Sequence, residues 1–159
     1  KIYGEAMCLH SNVPITIIRP HNIYGPRMGY AHVIPELFVR IKYSNKNFLK
    51  VFSPNHKRTF CYIDDAVKMI IKLSHSKISK NKIFNIGTDK NEIKIIELAK
   101  LILNVLNKKL KVIPGEVTQG SPKRRCPSMK KYKLIFKKIP ITNLESGLRK
   151  TFNWYTNNK

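Results

Sequence analysis

The stretch ITIIRP, residues 15–20, is apolar and β-branched almost throughout and closes on a proline. A strand with one solvated face alternates apolar and polar side chains. An unbroken apolar run is the pattern of a strand buried on both faces, as in a parallel sheet. Upstream, KIYGEAMCLHSN carries Ile2, Ala6 and Leu9 at helical spacing and stops at a turn cluster before Pro14. Downstream, HNIYGPRMGYAH is a loop punctuated by Gly25, Pro26 and Gly29, after which Pro35 opens a helix through ELFVRIKYS.

Strand and helix signals keep alternating towards the carboxyl end. FLKVFS reads as a short strand, RTFCYI as one strand, and DDAVKMIIKLSH as a helix capped by Asp64 or Asp65. KIFNIG is a strand ended by Gly87. NEIKIIELAKLILNVLNKK is the longest helix, facing a core through Ile95, Leu98, Ile102, Val105 and Leu106. LKVIPG is a last strand, EVTQGSPKRRCP a loop, and LESGLRKTFNWYTNN a closing helix. The predicted class is α/β. The run at residues 15–20 requires parallel neighbours, yet only a helix precedes it here. The expectation is a sheet with bare edges and poor solubility.

The 159 residues, 42% of them hydrophobic, suffice for one ordinary core. No apolar run approaches the roughly 18–20 residues of a membrane span, and Glu5 and His10 interrupt any leader-like region. Cys8, Cys61 and Cys126 form no CxxC pair, and the histidines form no ligand-spaced cluster. Neither a metal nor a disulfide framework is expected, and a reduced cytoplasmic setting is. The net charge of +22 raises nucleic acid as a partner. Only seven of the 31 basic residues are arginine, however, and the lysines run through every segment. Nucleic-acid binders concentrate charge on one face and interleave aromatics or arginine, so no nucleic-acid partner is expected.

Three segments could carry chemistry. RPHNIYGPR follows the buried strand at its carboxyl end, where open α/β sheets bind ligands, and it crowds Arg19, His21, Asn22 and Tyr24 there. A plain turn is the alternative. Arg58 in HKRTFCYIDDAV offers a planar fork of donors suited to a phosphate or diphosphate, with a surface ion pair as the alternative. Arg124 and Arg125 sit in the proline-bounded GSPKRRCPS, where solvation is the alternative. Three arginine-bearing loops in so arginine-poor a chain point to an anionic ligand. Neither GxGxxG nor a phosphate-binding P-loop occurs.

In this order KIYGEAMC, RPHNIYGPRMGYAHVIPEL, RTFCYIDDAV, FNIGTD, GSPKRRCP and LESGLRKTFNWY resemble the second half of an extended short-chain dehydrogenase/reductase. More narrowly, they resemble the NAD-dependent nucleotide-sugar epimerases and dehydratases, from Lys1 to about Tyr155. The resemblance implies that residues 1–159 are the carboxyl-terminal part of a Rossmann-like parallel sheet plus a small α/β substrate-binding lobe, with the NAD-binding half upstream. Lys1 matches the lysine of a catalytic Tyr-x-x-x-Lys whose tyrosine would stand four residues before it. Residues at i and i+4 share a helix face. The ammonium lowers the phenol's pKa of about 10, so the phenolate can take a sugar hydroxyl proton as hydride passes to NAD.

By the same resemblance Lys1 also holds the nicotinamide ribose, and His21 touches the nicotinamide end of NAD. Asn22 binds the sugar–diphosphate, Val33, Val51 and Phe52 enclose the nucleotide base, and Arg58 and Arg125 clasp the diphosphate and its ribose. Asp65 and Gly87 serve as a helix cap and a turn. Two departures stand out: SPNHK replaces a commoner glycine-rich turn before Arg58, and Ser128 stands where the family usually carries an aspartate cap. The intact enzyme is expected to be a cytoplasmic homodimer that binds a nucleotide-diphosphate sugar, serving cell-surface polysaccharide synthesis; the 159 residues alone would be inactive. The alternatives are a UDP-glucuronate-type decarboxylase, which shares NIYGPRM, and a non-catalytic nucleotide-sugar binding module.

Overall fold

The computed structural model describes residues 2–158. In chain order its elements are α1 (Ile2–Leu9), β1 (Thr16–Pro20), β2 (Ile23–Tyr24), α2 (Val33–Lys42), β3 (Phe48–Val51), β4 (Lys57–Arg58), β5 (Cys61–Tyr62) and α3 (Ile63–Ser74). They continue as β6 (Lys82–Ile86), β7 (Ile93–Lys94), α4 (Ile95–Val105), β8 (Lys111–Pro114), β9 (Arg124–Arg125), α5 (Lys130–Phe136) and α6 (Leu144–Asn157).

The parallel pairing expected of residues 15–20 is present: β1 lies beside β6, Thr16 opposite Lys82 and Pro20 opposite Ile86. The expected burial on both faces is not. Thr16 to Ile18 are half-buried, while Arg19 and Pro20 are exposed. Helix α1 buries no residue; Ile2, Tyr3, Met7 and Leu9 stay exposed, and a 2.5 Å ion pair from Glu5 to Arg19 ties the helix to β1.

The segment read as one strand, RTFCYI, divides. β4 ends at Arg58 and sits between β7, antiparallel, and β9, parallel. After Thr59 and Phe60 the chain re-enters a different sheet as β5, parallel to β2. Residues alternate across a strand, so β5 feeds two cores. Cys61 joins α3, β6 and α5 through Met69, Phe84 and Tyr132, while Tyr62 joins α2, α4 and α6 through Leu37, Ile102 and Leu148.

Several ends also differ from expectation. α4 begins only at Ile95, because Ile93–Lys94 are drawn into the ladder with β4, and at 11 residues it is shorter than the 14-residue α6. Its apolar face is as expected, with Leu98 and Ile102 fully buried. α2 starts two residues before Pro35. The first intrahelical bond is donated by Glu36, so the missing proline N–H falls among the unpaired first-turn groups and costs nothing. Asp65 does not cap α3. It is buried in the first turn, and its Oδ2 accepts the Thr142 N–H at 2.5 Å, anchoring the approach to α6. Asn143 caps α6 by accepting from the Ser146 N–H. α5 has no side-chain cap: its N-cap residue is Met129, and Ser128 lies one position before it.

Candidate functional site

The carboxyl end of β1 is where the polar residues of RPHNIYGPR part company. Arg19 turns back to Glu5. The His21 N–H continues the ladder to the Ile86 carbonyl at 2.8 Å, and its Nε2 meets Asn85 Oδ1 at 3.3 Å. The Asn85 amide donates to the Ser128 carbonyl, which can only accept; that fixes the amide with Oδ1 towards His21, so Nε2 carries the proton. Gly87 allows the close approach here: a Cβ on it would stand 3.2 Å from the His21 carbonyl oxygen. Tyr24 is buried, its hydroxyl donating to the Leu144 carbonyl at 3.4 Å, and burial together with neighbouring Cys61 raises its phenol well above the ordinary range.

Asn22 takes the left-handed conformation at φ 46°, which asparagine tolerates better than most residues. Its amide nitrogen donates to the Arg125 carbonyl at 3.3 Å, while its own carbonyl accepts the Cys61 N–H. This residue therefore links β2, β5 and β9 at the rim of a cavity of about 380 Å3. Asn22, Val33, Val51, Phe52, Arg58 and Arg125 all line that one cavity. Its volume lies in the range of small-molecule sites. His21 is not among the lining residues, and Lys1 lies outside the described residues.

The lining of the cavity is mixed in chemistry. Arg58 on β4 is 9% exposed, donating to the Lys57 carbonyl at 2.8 Å and to Ser121 Oγ at 3.1 Å. Arg125 lies opposite it in the parallel β4–β9 register. Neither guanidinium has a carboxylate partner among the described residues, whereas Arg124, one residue earlier, is paired with Glu92 at 2.7 Å. Burial, and secondarily the charge of Arg125, lower the Arg58 pKa. Two guanidiniums on one cavity lining offer planar forks of donors that an anion can accept from.

The start of α2 supplies Val33, Ile34 and Leu37 to the same lining, and the end of β3 supplies Val51, with Phe52 just after it. Phe52 is exposed, with the Arg40 guanidinium 5.5 Å and the Lys50 ammonium 5.6 Å from its ring centroid, within cation–π range. Arg40 is itself tied to Glu36 at 3.0 Å and to the Lys50 carbonyl.

Sequence reasoning missed Arg40, Ser53, His56, Thr118 and Ser121. Ser53 and His56 are buried, and the Thr118 N–H donates to Ser53 Oγ at 2.9 Å. Nothing in the local sequence marks the last four, because contacts across more than 60 positions bring them together. Among the described residues no cluster of histidine, cysteine, aspartate or glutamate could hold a metal, and no helix is long and apolar enough to cross a membrane.

Comparison with known proteins adds what geometry alone does not. The family model described as the NAD dependent epimerase/dehydratase family matches residues 1–87. UDP-N-acetyl-alpha-D-glucosaminuronate decarboxylase of Bacillus cytotoxicus is 30% identical over 167 residues, covering 98% of this chain and 51% of that protein. UDP-glucuronic acid decarboxylase 1 of Xenopus tropicalis is 28% identical, covering 98% and 37%. The crystal structure of UDP-glucuronic acid 4-epimerase from Bacillus cereus, in complex with UDP-glucuronic acid and NAD, superposes with a TM-score of 0.87 at 22% identity. That match covers 100% of this chain and 52% of the other, and it shows a shared fold. The chain spans about half, or less, of the length of these relatives.

Proposed function

The chain belongs to the NAD dependent epimerase/dehydratase family, and on that premise we propose that residues 1–159 are the carboxyl-terminal, substrate-binding portion of an enzyme acting on a nucleotide-diphosphate sugar. Arg58 and Arg125, neither with a carboxylate partner among the described residues, line one cavity with Val33, Val51 and Phe52, and this carries the reading. The planar forks suit the oxygens of a diphosphate and its ribose, and the apolar side chains suit a nucleotide base. Asn22, its amide nitrogen already engaged with the Arg125 carbonyl, keeps a second N–H for the sugar–diphosphate.

NAD fits the residues present at its nicotinamide end only, since the chain has no glycine-rich phosphate loop. His21 stands at the strand end with Nε2 committed to Asn85, leaving Nδ1 without a partner among the described residues and able to accept from a carboxamide. We assign Lys1 to the nicotinamide ribose and to lowering the pKa of a tyrosine one helical turn before it. NAD, when bound, supplies the hydride acceptor for oxidation of a sugar carbon. The contribution of this chain is to hold the substrate by its diphosphate and base, to fix the imidazole, and to place the ammonium.

An epimerase or dehydratase is the main reading. Two of the relatives above are named decarboxylases, and that favours sugar-acid decarboxylation as the second. A cytoplasmic homodimer serving cell-surface polysaccharide synthesis completes the proposal. The three free cysteines suit a reducing compartment, and the exposed apolar residues of α1 suit a subunit contact.

Calorimetric titration with UDP-glucose, UDP-glucuronate, uridine and inorganic phosphate tests the binding part. The expected result is a preference for the UDP-sugars over phosphate that Arg58→Ala removes. Indiscriminate polyanion binding that collapses steeply with salt would overturn it and leave a charge-driven binding module. Products formed by the full-length enzyme from UDP-glucuronate separate the readings, since a decarboxylase releases carbon dioxide and an epimerase does not.

A further inference from the structure

Beside Arg58 in the cavity lining stands a hydroxyl with three possible partners. Ser121 Oγ lines the cavity, accepts from Arg58 Nη2 at 3.1 Å, and lies 3.3 Å from Nδ1 of His56, an imidazole only 5% exposed. A guanidinium has donors and no acceptor, so the Arg58 contact uses one Ser121 lone pair. The single Ser121 proton then has two destinations. It can point to His56 Nδ1, which requires the imidazole to carry its proton on Nε2. Alternatively His56 carries its proton on Nδ1 and donates it to Ser121. Both lone pairs of the hydroxyl are then engaged, and its proton is free to point into the cavity.

We propose that Ser121 is a ligand-contacting residue, the third donor to the diphosphate held by Arg58 and Arg125, and that His56 is the positioning residue that aims its proton. The inference rests on the nucleotide-sugar reading and adds to it two residues. Without ligand, the Ser121 proton is satisfied on His56. An arriving diphosphate is an acceptor only, and the arrangement that suits it moves the imidazole proton to Nδ1 and turns the hydroxyl outward. No net charge changes; one proton is reassigned between two ring nitrogens of the same side chain. The same hydroxyl that steadies Arg58 then serves the anion as well.

The probe is UDP, with uridine as control, on wild type, Ser121→Ala, His56→Leu, His56→Gln and Arg58→Ala. Ser121→Ala is expected to weaken UDP binding about tenfold, the size of one hydrogen bond to a charged group, and to leave uridine unchanged. His56→Leu should weaken UDP similarly, and His56→Gln should restore it, because the amide still offers an N–H to Ser121. Nitrogen-15 NMR of the wild-type His56 ring supplies a readout that misfolding of a variant cannot mimic: Nδ1 unprotonated without UDP and protonated with it. Wild-type affinity for UDP in Ser121→Ala, or an unchanged His56 tautomer on UDP binding, overturns the proposal. If Arg58→Ala also binds UDP normally, or if wild type does not bind it, the nucleotide-sugar reading falls as well. Loss in Arg58→Ala without loss in Ser121→Ala refutes this inference alone.

Discussion

Gly147 of α6 lies against the phenol of Tyr24: a Cβ placed on the glycine would stand 2.0 Å from Tyr24 Oη and 2.9 Å from Cζ. This contact seats the last helix on the loop that leads into the cavity, with the Tyr24 hydroxyl donating to the Leu144 carbonyl. Gly147→Ala is expected to destabilise the chain by about 1–3 kcal/mol despite the better helix propensity of alanine, because neither the buried ring nor the helix can yield. Urea unfolding measures it. In a Tyr24→Phe background the penalty should shrink, and an equal penalty in both backgrounds would show that the clash lies elsewhere.

Arg58 is buried with no carboxylate partner among the described residues, a cost that anion binding would recover under the proposed function. Arg58→Met should leave the melting temperature level or raised, while UDP affinity falls about ten- to a hundredfold. A large loss of stability would mean that the guanidinium serves the fold through Lys57 and Ser121 more than it serves a ligand.

Asp65 holds the entry to α6 from the first turn of α3. Removing its carboxylate in Asp65→Ala should cost about 1–3 kcal/mol by leaving the Thr142 N–H without its acceptor. Hydrogen exchange at the Thr142 amide should accelerate well beyond that of residues within α6. Unchanged exchange there would assign the loss to packing.

Burial, with the charge of Asp65 as a lesser cause, pushes the Cys61 thiol up to about 12. At pH 8 its thiolate is on the order of one part in ten thousand, so a disulfide reagent should titrate exposed Cys8 quickly and Cys61 only on unfolding. The sign of the linkage follows. The folded state keeps the proton longer than the unfolded state, so the contribution is complete below the ordinary thiol pKa of 9.0 and is lost as pH rises towards about 12. Its slope is about 1.4 kcal/mol per pH unit at most. Cys61→Ala should flatten the alkaline limb of the stability profile, and an identical limb in both proteins would refute it.

Much of this architecture was legible in the chain itself. The amphipathic α4 follows from a period that burial imposes, and the parallel pairing of β1 from its unbroken apolar run, although the two-sided burial read from that run is not found. The six residues that the motif resemblance assigned to a substrate line one cavity. What local pattern could not supply was partnership. RTFCYI has the composition of one strand, but β4 and β5 answer to different neighbours, and only pairing across the chain breaks them at Thr59. Asp65, read from the sequence as a cap, falls inside the first turn of α3 and bonds a residue 77 positions on. His56 and Ser121 are ordinary polar residues in two unrelated turns until the fold sets them 3.3 Å apart. The apolar spacing of α1 announces a buried face that no described residue covers.

The pairing of β4 with β9 sets Lys57 opposite Arg124 and Arg58 opposite Arg125, so of two adjacent arginines one goes to Glu92 and the next to the cavity. Side-chain direction in a strand has a period of two, and a slip of one position exchanges the pair. The segment from Gly115 to Lys123 is therefore constrained in its length as well as at Ser121. A single inserted or deleted codon there would deliver the wrong arginine whatever residues it carried. Among descendants of this gene, that spacer should accumulate substitutions away from Ser121 more readily than gaps.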